Sequence, residues 1–298
     1  MKLLINRGNL LFLVTLGILL LPSKRSMDAP WAYATVLLLI EIAFILRFWK
    51  HREKSLLDIV SIAFAFLGFW DLMSRLNLTH PVLVPPPENV FYVFVSQREL
   101  MIQGMFSSLR LLLFGVGIAL IAGIFLGLVV GWIPRLRSAI LPIANVISPI
   151  PPLVYTPYVV AVMPTFKTAS VLVIFCAVFW PTFQNMVGRV GSIDKKIIQS
   201  AQVMNVSTTT MLFRVILPYC KPSILASLNG TIRAALLCLT GAELLGANSG
   251  LGYFVKKFSD YADYTKVIAG IILMGIVVTI LIAAVHWLQK ILVKWDYT

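Results

Sequence analysis

The sequence predicts an all-α protein that threads a membrane about eight times, and three observations carry that expectation. Hydrophobic residues make up 59% of the 298-residue chain and charged residues only 12%, about half of what a water-facing domain carries. The mean hydropathy is +0.90. The apolar residues also come in blocks near the length of about 20 that a helix needs to cross hydrocarbon.

Eight runs qualify, at about 8–21, 31–48, 56–74, 105–131, 139–160, 169–188, 223–245 and 267–289. The first is short and opens on Arg7 and Asn9. A cleaved signal peptide would also place Lys2 and Arg7 before an apolar stretch, but Leu19-Leu20-Leu21-Pro22 leads into Ser23-Lys24-Arg25 without the small residues of a cleavage site, so a retained helix is expected. The fourth run carries Gly115, Gly123, Gly127 and Gly131, mostly four apart, a face on which another helix of the same subunit, or of a second one, can approach closely. Pro142, Pro149, Pro151, Pro152 and Pro157 interrupt the fifth run. They are expected either to free carbonyls toward a wet path or merely to kink the helix for packing.

Basic residues favour loops that remain in the cytoplasm. With the amino terminus inside, that side collects Lys2, Arg7, the Arg47–Lys54 connection, Arg135, Arg137, the cations of the long loop after the sixth run, Lys290 and Lys294. Both termini are then cytoplasmic in a multi-pass plasma membrane of bacterial type. The net charge of +13 is a by-product of such loops, and no basic and aromatic cluster outside the apolar runs suggests nucleic acid. Cys176, Cys220 and Cys238 form no CxxC pair, and His51, His80 and His286 no HExxH-like spacing, so neither a disulfide framework nor a metal site is expected. Asp58, Asp71 and His80 lie near helix ends rather than in one layer, which gives no footing for a membrane-embedded enzyme.

The loop between the sixth and seventh runs is too polar to span. Ile197, Ile198, Ala201 and Met204 recur at helical spacing opposite Lys195, Lys196, Gln199 and Gln202, which predicts an amphipathic helix capped by Ser192 or Asp194. Asn205, tolerant of the left-handed conformation, should close it. Ser207 should cap a second short helix that stops before Pro218. Two short cytoplasmic helices joined by a tight turn form a knob that can dock into a partner or lie on the membrane surface.

The spacing of Gln199-Ser200-Ala201, Asn205 and Val215-Ile216-Leu217-Pro218 resembles the EAA motif of ABC importer permeases, with glutamine and asparagine in place of that motif's glutamate and glycine. Val84-Pro85-Pro86-Pro87 is similar to the LPSP-type entry, Ser148-Pro149-Ile150-Pro151-Pro152-Leu153 to the RPIPPL segment, and Glu243 with Gly250-Leu251-Gly252-Tyr253 to the E-x6-GLGY stretch of the nitrate, sulfonate and taurine class. The likeness runs from about Val82 to Trp295.

The resemblance implies a type I importer: two permease subunits, forming a homodimer, line a path for a small anionic solute, two ATPase subunits bind the cytoplasmic knobs, and an extracytoplasmic binding protein delivers the solute. Residues 1–80 would hold N-terminal transmembrane helices, two of them additional to the family core. Residues 81–298 would form the permease core, with coupling helices at about 192–217. Gln199, Ser200, Ala201, Asn205, Leu217 and Pro218 would couple to the ATPase, while Arg233, Glu243, Pro151, Pro152, Gly250 and Gly252 would line or gate the path. This chain has no G-x-x-x-x-G-K-[ST] loop, so it would bind no cofactor itself, ATP and Mg residing on the partner ATPase. Membrane lipid surrounds the whole. An ion-coupled secondary transporter or channel would dispense with the ATPase but should show internal repeats, and no repeat is evident. Arg233 lies near midplane, where it needs either a buried counter-ion such as Glu41 or a wet path.

Overall fold

The structure is a computed structural model that describes residues 6–27, 29–50 and 54–292, with side chains except at Lys195 and Leu292. The basic positions Lys2, Arg52 and Lys294 fall outside those residues. Among the described residues every regular element is helical, and the chain forms two compact units. One takes in the described residues up to Ile102 together with Phe254–Ile272; the other comprises Gln103–Tyr253 and the chain from Leu273 onward.

The first unit is built on α1 (Arg7–Leu19), α2 (Pro30–Lys50), α3 (Lys54–Arg75) and α4 (Pro87–Ser96). Asn6 caps α1, accepting from the Asn9 amide at 2.9 Å. Tyr33, Leu37 and Phe64 are fully enclosed, with Leu11 and Phe12 of α1 packed against them. The Tyr33 hydroxyl donates to the Leu67 carbonyl at 3.0 Å, and its ring stacks on Phe91 of α4 with centroids 5.8 Å apart. The Arg75 guanidinium donates to the Leu21 carbonyl at 2.7 Å, which sets the C-terminal ends of α1 and α3 side by side. These two helices therefore run in the same direction.

In the second unit the core lies where α5 (Arg98–Trp132), α8 (Phe166–Gly191) and α11 (Leu217–Gly246) meet, around Leu112, Ala119, Ile174, Val178, Ala235 and Leu239. The glycine stripe of α5 packs on α8. A methyl group on Gly115 would stand 2.8 Å from Ile174, on Gly127 2.6 Å from Met186, and on Gly131 2.7 Å from Val190. Of the two readings of that stripe, packing within the subunit is the one observed. The contacts ascend together along both helices, so α5 and α8 are parallel. Between them run α6 (Pro134–Ile147) and α7 (Pro152–Val162), bent by 90° at the intervening prolines. After α8 come α9 (Lys195–Val203), the short α10 (Thr208–Thr210) and a π-helical turn at Met211–Ile216 that leads into α11. The chain continues with α12 (Leu251–Asp260) and α13 (Tyr264–Leu292).

The polytopic helical architecture is as expected. Among the described residues six helices are long and apolar enough to cross, α2, α3, α5, α8, the continuous Thr208–Gly246 and α13, with the bent α6–α7 pair as a seventh if counted as one span. The 13 residues of α1 reach about 20 Å, short of the roughly 30 Å of hydrocarbon. The other expected run, 139–160, is broken because Pro151 and Pro152 have no amide hydrogens to continue the helix from Ile147.

Candidate coupling loop and path residues

Asp194, one of two expected caps, caps α9 by accepting from the Lys196 amide at 2.9 Å. At the other end Asn205 takes φ 54°, its amide donates to the Gln202 carbonyl at 2.9 Å, and the Val206 amide donates to the Ala201 carbonyl at 3.2 Å. This pair of bonds is the Schellman closure, with asparagine where glycine is usual. Ser207 then accepts from the Thr210 amide at 3.3 Å, as its position predicts.

The helix capped by Ser207 does not stop before Pro218 as expected. It runs unbroken from Thr208 to Gly246, and the physical reason is the π turn at Met211–Ile216. Pro218 brings no amide hydrogen and a ring that would press on the carbonyl four residues back; a wider turn displaces that carbonyl and lets the helix continue. Leu217 and Pro218, the closing element of the EAA-like motif, thus stand where the loop becomes a membrane helix.

The loop's residues divide by exposure. Ala201 is buried in one cluster with Leu128 of α5, Met186 and Val190 of α8, and Met211 and Ile216 of the π turn, so it ties α9 to its own chain. Gln199, Ser200 and Asn205 are exposed. Met204, expected on the apolar face, is instead 77% exposed beside Val203 at 88%, because it occupies the cap position where the chain leaves the helix. Sequence reading missed these two apolar tips.

Glu243 is enclosed among polar partners. It accepts from the Ser108 hydroxyl at 2.6 Å and from the Gly252 amide at 2.7 Å, while the Leu251 amide donates to Ser108 at 2.9 Å. The carboxylate therefore sits on the first turn of α12, where free amides and the helix dipole favour negative charge. Gly250 takes φ +122°, and a methyl group there would collide with the carboxylate; on Gly252 it would lie 2.7 Å from the Glu243 Cβ. The structure brings Glu243, Gly250 and Gly252 together as one clasp. Ser108, its fourth member, was not legible, since 135 residues separate it from Glu243.

Pro151 and Pro152 stand apart from that clasp, at the start of α7, where Leu153 packs into a cluster with Val173, Ala177 and Cys238. Arg233 is exposed on α11 and among the described residues has no hydrogen-bond or ion-pair partner. Its candidate counter-ion, Glu41, is a buried residue of α2. A further polar cluster that sequence reading did not identify closes the end of α3. Arg75 donates to Asp71 at 2.8 Å and pairs with Glu88 of α4, all three being buried.

Residues 119–295 match the family model described as "Binding-protein-dependent transport system inner membrane component". The chain is 28% identical to the taurine transport system permease protein TauC of Escherichia coli (strain K12) over 254 residues, 83% of this chain and 92% of that one. It is 26% identical to the bicarbonate transport system permease protein CmpB of Synechocystis over 83% of this chain and 92% of the relative. It is 30% identical to the nitrate import permease protein NrtB of Leptolyngbya laminosa over 63% of this chain and 69% of the relative. A polytopic helical chain whose matched span holds the α9 loop, the bent α6–α7 pair and Glu243 with Gly250 and Gly252 belongs to the inner membrane components of binding-protein-dependent transport systems.

Proposed function

We propose that two copies of this chain line the path of an ATP-driven importer for a small anion, in a cytoplasmic membrane with both chain termini and the coupling loop inside. The observation that carries the anion reading is Arg233. A guanidinium at membrane depth is costly unless it faces a wet path or a partner, and Arg233 is exposed on α11 without one among the described residues. Taurine, bicarbonate and nitrate, after which three relatives are named, all carry anionic oxygens. The residues from 81 onward, taken as the permease core, contain the whole matched span.

Partner ATPase subunits bind the exposed surface of the loop, formed by Gln199, Ser200, Asn205, Val203 and Met204. Ala201 and the Leu217-Pro218 step act from behind, holding the knob to the membrane helices. Glu243 with Gly250 and Gly252 clasps the outer end of α11 as a gate, and Pro151 and Pro152 turn the backbone toward the path. A binding protein delivers the anion outside, and ATP with Mg is held by the ATPase.

The test is uptake of taurine, bicarbonate and nitrate by proteoliposomes carrying the permease, its ATPase and its binding protein. Wild type should accumulate one of them with ATP, and Arg233→Gln should abolish accumulation while the complex stays assembled. Recovery of uptake in a Glu41→Gln and Arg233→Gln double variant would instead identify a structural pair and remove Arg233 from the path.

A further inference from the structure

A cavity of about 720 Å³ opens between α8 and the π turn with the start of α11, lined by Arg189, Arg214, Pro218, Tyr219, Pro222 and Ser223 among others. None of its lining residues is acidic. Arg189 donates from Nε to the Ser223 hydroxyl at 2.8 Å, and Ser223 in turn donates to Asn185 at 3.2 Å. That chain fixes the guanidinium on α8 and leaves both terminal nitrogens without a partner among the described residues. Arg214, in the π turn, has no partner among them at all.

Two guanidiniums around one cavity with no carboxylate repel each other, and an anionic guest would relieve that repulsion. Their planar forks suit a group with two or more oxygens, which each can grip with paired hydrogen bonds. An interfacial arginine that merely snorkels into headgroup water keeps its side chain free, whereas Arg189 is held by a relay of two side chains. The cavity also shares a stripe with the membrane path. Tyr219, Pro222, Ala226, Gly230 and Arg233 follow one another at three- and four-residue steps along α11, and Gly230 has open space beside it.

We propose that this cavity is an anion-binding station at the coupling-loop end of α11, gripping a sulfonate, carboxylate or phosphate group between Arg189 and Arg214. The transported anion is one source of such a group, a case that rests on the importer reading above; an anionic phospholipid headgroup is the other. Because Arg214 belongs to the turn that joins the loop to α11, an occupied station ties α8 to that joint.

The experiment uses the assembled permease–ATPase complex in two kinds of nanodisc. In discs of phosphatidylcholine alone, calorimetry with methanesulfonate reads the free anion. In discs containing phosphatidylglycerol, native mass spectrometry reads the retained lipid. In at least one of the two, binding should weaken by about tenfold or more in an Arg189→Gln and Arg214→Gln double variant, roughly the loss of a charge-assisted contact. Weakening only with methanesulfonate identifies the solute as guest, and weakening only with phosphatidylglycerol identifies the headgroup. An Arg189→Lys and Arg214→Lys double variant keeps both charges without the fork and decides the matter if the glutamine variant fails to assemble. Unchanged binding of both probes in an assembled double variant overturns the proposal. Proteoliposome uptake separates the two readings: a station that binds in a chain taking up no taurine, bicarbonate or nitrate leaves the importer reading to fail alone, and uptake with unaltered binding leaves this station to fail alone.

Discussion

Burial lifts the Glu88 carboxyl to about 7, with the Arg75 guanidinium pulling it down and the Asp71 carboxylate adding to the rise. In an unfolded chain the same group titrates near 4.5. The folded form therefore holds its proton more tightly, and the associated stability is complete below about 4.5 and is lost as pH rises through about 7. The melting temperature of the purified protein should fall between about pH 5 and pH 8, and Glu88→Gln should flatten that slope. Arg75 is the more damaging site, because its removal leaves Asp71 and Glu88 enclosed without a cation. Arg75→Gln should cost about 3–5 kcal/mol of stability, the usual penalty for stranding buried charge, read from denaturant unfolding in detergent. The i,i+4 spacing of Asp71 and Arg75 can be read from a helix, but Glu88 joins them from the next helix, where no local pattern announces it.

The closure of α9 offers a test at the level of an element. Asn205→Gly should preserve substrate-stimulated ATP hydrolysis, since glycine takes φ 54° freely, whereas Asn205→Val forces a β-branched residue into that region at about 1–3 kcal/mol and should lower the stimulation. Equal stimulation in the two variants would detach the turn from coupling. Along α5, Gly127→Ala should overpack against Met186 and cost about 1–3 kcal/mol, whereas Gly117→Ala, with nothing within 4 Å, should be close to neutral. Both the turn and the glycine stripe were legible, because capping chemistry and helical period act within a few residues. The halt expected before Pro218 was not met, since a single proline rule knows nothing of a π turn that absorbs the missing amide. Spacing placed Ala201 on the apolar face, where it is buried, but it placed Met204 there too; Met204 turns outward because it sits at the cap, where the chain leaves the helix. The α6–α7 break followed from its prolines, yet its 90° angle is a matter of tertiary packing.

Across the whole molecule, the orientation is the property most open to direct measurement. Met204→Cys, at the exposed tip, should react with an impermeant maleimide only after the cytoplasmic face is opened, and labelling from intact cells would invert the scheme. Among the described residues seven of the eight expected runs can cross when the bent α6–α7 pair is counted as one span, and α1 shows that a run may be apolar while its helix stays shorter than the hydrocarbon. The π turn carries a consequence of its own. A wider turn holds more residues, so it takes up an extra residue between the Ser207 cap and everything beyond it. Removing a single residue there would return the helix to ordinary pitch, and because the lost residue and the tightened turn nearly cancel, Arg233 would keep its bearing. The turn thus buffers the charge from the residue count of the loop before it: the chain can lengthen or shorten by one residue at this joint without rotating the helix beyond.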